Sequence, residues 1–357
     1  MFPRSMQHYF YADGSPTHPT VTPTNGFSPN SDAERLFKSF RYLGTDEDEI
    51  VAILGSRTSY ERMQIAESFK TMFSKDLASE LESELSLDFR RLCTMMMRSP
   101  WRIMAEGLHD AIHRTLGTRE KDLIHFLISC SNDEIKHVKS AYEDLLKEKG
   151  VDGKSLKDDI SGDTFGYFEE TLELMLDGRQ DEPTDHQLKR LKDNGIGSIV
   201  NEELAQLDVK ELYECGEGSE QLGTKDKRFL RVIVNRTIWQ SKLNFDLYMK
   251  EHGKNIIDVI DSETSGDFCR GIKWIAQYTL DRPKYFAKLL HDTMAGPGTK
   301  DHQLMRLVIL RSEIDMDDIK VAYETEFGET LEKAIKSDTS GDYKHLLLAL
   351  CGYEWKK

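Results

Sequence analysis

The chain is poor in cysteine: five in 357 residues, at Cys93, Cys130, Cys215, Cys269 and Cys351, with no CxxC spacing. So few scattered thiols exclude a disulfide framework and a cysteine-rich metal site, and read as small buried hydrophobes of a reducing, cytosolic compartment. No apolar run is long enough to span a bilayer, and no charged-then-apolar leader opens the chain. Positive charge is also short, with 48 Lys and Arg against 63 Asp and Glu, a net charge of −15. That balance disfavours nucleic acid and direct attraction to an anionic membrane, but not attachment through a bridging cation. The signatures HExxH and GxSxG are missing, and Val151-Asp152-Gly153-Lys154 has too few spaced acids for an EF-hand. Nothing here reads as an enzyme.

What the chain does have is a repeat. Gly-Thr recurs at Gly44-Thr45, Gly117-Thr118, Gly223-Thr224 and Gly298-Thr299. Six residues past each glycine stand Ile50, Leu123, Phe229 and Leu304; nine and ten past stand Ile53-Leu54, Phe126-Leu127, Val232-Ile233 and Leu307-Val308. That spacing is helical. The glycines lie 73, 106 and 75 residues apart, so one period governs the chain and the middle interval carries an extension. Each unit is a group of helices unable to bury its apolar face alone. Met95-Met96-Met97 and Tyr323 read as core rather than as a cofactor box.

Forty residues past the glycines of the first, third and fourth units stand Glu84, Glu263 and Asp338. In the second unit Lys157 holds that place, but Glu148 to Gly153 looks like an insertion, and Asp163 restores the match with the context Asp163-Thr164-Phe165-Gly166. The parallel segments are Glu263-Thr264-Ser265-Gly266, Asp338-Thr339-Ser340-Gly341 and, without its glycine, Glu84-Leu85-Ser86-Leu87. A glycine loop able to turn carbonyls outward, joined by a carboxylate from elsewhere, suits a hard cation that takes six to eight oxygens.

On these residues the sequence resembles the annexin family, whose calcium motif is Lys-Gly-x-Gly-Thr followed about 40 residues later by Asp or Glu. The motif stands here as AGPGT with DTSG, QLGT with ETSG, RTLGT with DTFG, and RYLGT with ELSL. The resemblance implies an all-α protein of four repeats, about five helices each, in a curved disc with a disordered N-terminal tail. It also implies calcium-dependent binding to acidic phospholipid membranes, on the cytoplasmic side and peripherally, serving membrane organisation, trafficking or aggregation. Carried over residue by residue, three loop carbonyls and one carboxylate make each calcium site. The fourth is Met294, Gly296, Gly298 and Asp338, the most complete. The third is Ser219, Gln221, Gly223 and Glu263; the second is His113, Thr115, Gly117 and Asp163. The first, Phe40, Tyr42, Gly44 and Glu84, is the poorest, because Tyr42 and Leu87 replace glycines. Arg41 and Arg114 take the lysine position, suited to a lipid phosphate. The competing reading is a calcium-independent helical scaffold for protein partners.

The expected organisation is a flexible tail over 1–31, which holds five of the nine prolines, then repeats over 32–108, 109–176, 201–276 and 277–357. The extended connection over 177–200 departs from the family. In it Thr184 and Gln187 have capping-box spacing, Asn194-Gly195 makes a stop, and Leu188 and Leu191 form a narrow stripe. This predicts a short helix over about 185–193, which must pack on its own repeats or on a second copy to form a homodimer.

Overall fold

The computed structural model describes residues 5–41, 44–114, 118–179, 181–215, 226–296 and 298–354, apart from the side chains of Lys192 and Asp226. Among them are 21 α-helices and no strand. Five helices form each repeat and one helix, Asp185–Asn194, occupies the connection between the second and third. The second repeat opens with the helix Pro100–Ile112 and the fourth with Arg282–Met294, so the boundaries expected at 108 and 276 fall inside helices. The reason is that the glycine register marks the loop after each repeat's first helix and says nothing of where that helix starts.

The periodic positions are the core. Ile50, Leu123, Phe229 and Leu304 are all buried, as are Ile53-Leu54, Phe126-Leu127, Val232-Ile233 and Leu307-Val308. Each such side chain contributes roughly 1.5–3 kcal/mol by leaving water. The methionines 95–97 and Tyr323 are buried too, and four of the five cysteines, all but Cys269. Burial pushes the Cys351 thiol up to about 12. Three residues past the last apolar pair, Arg57 meets Asp32 and Arg236 meets Asp208, pairing the second helix of a repeat to its first. Arg311 instead pairs with Asp315 one turn on, with its guanidinium 4.0 Å over the Phe286 ring.

Two compact units divide the chain. One holds residues 17–103 and 286–357, and so the first and fourth repeats; the other holds 4–16 and 104–285, with the second and third. In the first unit the helix Glu47–Leu54 packs on Gly341–Leu350, and Glu313 accepts from the Ser59 N–H at 2.6 Å. In the second, Glu182 of the connection accepts from the Asn132 N–H at 3.0 Å and Asp181 from the Thr237 N–H at 2.9 Å. These carboxylates sit at the starts of the helices Asn132–Glu148 and Ile238–His252, where the orphan amides need acceptors. Burial raises the pKa of both.

The tail expected to be flexible is docked over residues 5–28. His8 is buried with Nε2 2.7 Å from Glu134 Oε2, Tyr11 accepts from Trp239 Nε1 at 2.9 Å, and Arg282 donates to the His8 carbonyl. In the other unit, the Thr20 and Val21 amides donate to the Ser312 carbonyl and Thr20 Oγ1 to Leu350 O at 2.6 Å. Proline-rich composition shows only that a segment cannot make its own core; it does not show whether a neighbour supplies one.

The connecting helix has the expected capping box, with Thr184 Oγ1 accepting from the Gln187 N–H and Gln187 Oε1 accepting from the Thr184 N–H. It stops at Gly195, φ +68°. Its stripe is covered from within the chain: Leu188 and Leu191 are buried against Trp239, with Met6, Phe10, Ile196, Ile199, Val200 and Ile238 around them. Gly14 lies so close to Ile196 that a Cβ there would stand 2.7 Å from its Cγ2. A second copy is therefore not needed to cover the stripe.

Candidate metal centres

Each repeat contains an eight-residue fourth helix, and in each the last residue is the expected carboxylate. The helices are Leu77–Glu84, Leu156–Asp163, Ile256–Glu263 and Leu331–Asp338. A carboxylate at a helix C-terminus faces the negative pole of the helix, which costs about 0.3–1 kcal/mol and is relieved by a cation. Four such placements in register are an arrangement for holding positive charge.

The fourth repeat shows the loop best. Gly296 and Gly298 have φ of +94° and +84°, in the region that disfavours side chains, and nothing stands within 4 Å of where either Cβ would be. The loop is closed by the Lys300 N–H donating to the Thr293 carbonyl at 2.8 Å. Thr299 Oγ1 donates to Asp338 Oδ2 at 2.5 Å, which ties the carboxylate to the residue after Gly298. Close by, Tyr343 donates to Asp301 Oδ1 at 3.0 Å. Burial, together with the charges of Asp88 and Asp338, holds the Asp301 pKa above the ordinary value despite that bond. Local negative charge is thus already in excess. The donor set, carbonyls and carboxylates alone, fits calcium and offers nothing to a softer metal.

In the second repeat the insertion does not displace the carboxylate. The longer helix Asn132–Glu148 and the turns at Gly150 and Gly153 absorb it, and the Thr118 hydroxyl donates to Asp163 as Thr299 does to Asp338. The loop closes one residue further upstream, Arg119 N–H to the Ala111 carbonyl. His113 points its Nε2 at Asp159, which also takes the Tyr142 hydroxyl at 2.6 Å. Burial works against the ionised Asp159, but the bonds from Lys154, Tyr142 and His113 outweigh it and hold its pKa low. Thr115 and Gly117 lie outside the described residues, as do Ser219, Gln221 and Gly223 of the third loop. Glu263 stands at the end of its helix, half-buried.

In the first repeat Gly44 has φ +94°, and the Asp46 N–H donates to the Ser39 carbonyl in the register of Lys300 and Thr293. Phe40 packs edge-on to Phe69, Glu84 is exposed, and Tyr42 lies outside the described residues. Arg41, assigned to a lipid phosphate, lies 3.9 Å over the Phe37 ring. Leu87 takes φ +52°, where the other repeats have Gly166, Gly266 and Gly341 at +62°, +67° and +59°. Leu87→Gly should remove a left-handed penalty of roughly 1–2 kcal/mol against roughly 0.5–1 kcal/mol of extra freedom in the unfolded chain. The expected result is a small rise in the urea midpoint without calcium; a fall would show that contacts of Leu87 outweigh its strain. Sequence reasoning missed one group, Asp48 with Asp342 and His345, whose ligand atoms lie within 4.8 Å of one another. It joins two repeats that only the fold brings together.

A helical array of four five-helix repeats, with a glycine loop facing a helix-terminal carboxylate, is the class these features define. The annexin family model matches residues 31–96, 104–175, 208–275 and 285–350. The chain belongs to the annexin family, non-enzymatic proteins that generally bind phospholipid in a calcium-dependent way. It is 43% identical over 352 residues to annexin B22 of Schistosoma mansoni, covering 98% of this chain and 95% of that one. It is 37% identical over 333 residues to human annexin A8, covering 93% and 95%. Among solved structures, calcium-bound annexin (Sm)1 superposes with a TM-score of 0.92 at 41% identity, covering 98% of this chain and 97% of the other. Among the described residues no helix is long and apolar enough to cross a membrane.

Proposed function

We propose that the chain attaches peripherally, from the cytoplasmic side, to acidic phospholipid membranes through calcium held by its repeat loops. The observation that carries this is the matched pair of bonds Thr299–Asp338 and Thr118–Asp163, which set a carboxylate against the loop in two repeats. In the fourth site the carbonyls of Met294, Gly296 and Gly298 act with Asp338. In the second, Asp163 acts with the loop that begins at His113. The third rests on Glu263 and the first on Gly44 and Glu84. Bound calcium supplies positive charge and open positions for phosphate oxygens. A net charge of −15 then opposes approach to an anionic surface unless that charge is present. The membrane roles that follow are organisation, trafficking or aggregation.

Co-sedimentation with phosphatidylserine vesicles tests the reading. Binding is expected in calcium and lost in chelator at any salt concentration. Sedimentation that ignores calcium would replace this reading with that of a calcium-independent scaffold. The homodimer expected through 177–200 is not proposed, because Leu188 and Leu191 are already covered by Trp239 and its neighbours.

A further inference from the structure

Phe165 and Leu87 are the two most exposed large apolar side chains among the described residues, at 80% and 76%. A single exposed apolar side chain needs no explanation. These two differ in where they stand. Phe165 is two residues past Asp163, on the turn that follows its repeat's candidate calcium-binding carboxylate, and Leu87 is three past Glu84, at the start of the helix Leu87–Met96 after the corresponding turn. At the position of Phe165 the other repeats have Ser86, Ser265 and Ser340, all exposed. In all four repeats this residue precedes the fifth helix and makes no capping bond with its side chain, so its place in the fold does not call for an aromatic. At the position of Leu87 the others have glycine, and Leu87 holds its left-handed angle without burial in return. Strain kept with no packing gain is a mark of a functional position.

We infer that Phe165 and Leu87 are bilayer anchors: once calcium joins the adjoining loop to lipid phosphate, each side chain enters the interface between headgroups and acyl chains. The inference rests on the membrane reading above and adds to it an apolar contact in the first and second repeats. The chemistry matches the place. A phosphate held at the loop puts the headgroup layer at these turns, and an apolar side chain there exchanges water for the acyl boundary. The apolar side chains belong to the first and second repeats alone: the third has Ser265 and Gly266 at these positions and the fourth Ser340 and Gly341.

The test uses the full chain and vesicles of phosphatidylserine with brominated phosphatidylcholine, whose bromines quench tryptophan in the acyl region. Phe165→Trp and Leu87→Trp should each add emission, read as the difference from the parent, that is quenched in calcium and not in chelator. Phe165→Ser should weaken calcium-dependent vesicle binding about tenfold. Leu87→Asn, which tolerates the left-handed angle without restoring the glycine of the calcium motif, should weaken it by a similar factor. Neither should change the rise in melting temperature that calcium alone produces without lipid. Unquenched emission from both tryptophan variants, with parental binding by the Phe165→Ser and Leu87→Asn variants, would overturn the inference. It would leave the membrane reading intact and direct attention to an apolar protein partner. A parent that does not sediment in calcium would overturn both.

Discussion

Asp338→Ala is expected to raise the calcium concentration needed for half-maximal vesicle binding by at least about tenfold, because loss of even an outer partner of a metal ligand costs 10–100-fold in affinity. The variant separates binding from folding unusually well. Asp338 ends the helix Leu331–Asp338, so its charge opposes the helix dipole when no cation is present. Its bond from Thr299 opposes that cost by about 1 kcal/mol. The two nearly cancel, and the melting temperature in chelator should stay close to the parent's. The rise that calcium produces in the parent should shrink in the variant. Asp163→Ala should show the same pattern if the second loop binds, since Thr118 holds Asp163 in the same way. A variant with a parental calcium requirement at Asp338 would show that other loops suffice or that this carboxylate is not a ligand. A large loss of stability in chelator would show instead that Asp338 is structural.

Trp239→Ala should cost about 3–5 kcal/mol, the range for removing a large buried aromatic. Its position makes the consequence regional. The side chain closes the cluster of Leu188 and Leu191, and its Nε1 holds the Tyr11 carbonyl. Without it, both the connecting helix and residues 5–16 lose their common anchor. A helix of 10 residues is marginal alone, so limited proteolysis should cut first within the connection and the tail. Trp239→Phe keeps most of the apolar contact and should cost much less while still losing the Tyr11 bond. Equal protease resistance in Trp239→Ala and parent would mean that the surrounding isoleucines hold the helix by themselves. Size measurement on the same samples bears on dimers: self-association on exposure of the stripe would show that two copies can pair through it.

The sequence by itself determined the repeat, the helical class and the four carboxylates, because these are local or periodic properties. The spacing of Ile50, Ile53 and Leu54 and its three echoes can be satisfied only by a helix with one buried face. The identity of Asp163, six residues out of register, was legible from its Asp-Thr-x-Gly context. The capping box of Thr184 and Gln187 was legible for the same reason, since its bonds span three residues.

Only the tertiary structure decided what covers what. Proline-rich composition suggested a flexible tail, yet His8, Tyr11 and Thr20 each meet a partner more than a hundred residues away. Leu188 and Leu191 demanded an apolar neighbour, and the choice between Trp239 and a second copy depended on packing that no local spacing encodes. The meeting of Asp48 with Asp342 and His345, and the bonds of Thr118 to Asp163 and Thr299 to Asp338, likewise follow from how helices stack. The physical reason is common to all of these. Backbone preference and amphipathic period act over one or two turns, whereas burial is a property of surfaces that the chain brings together only when it folds.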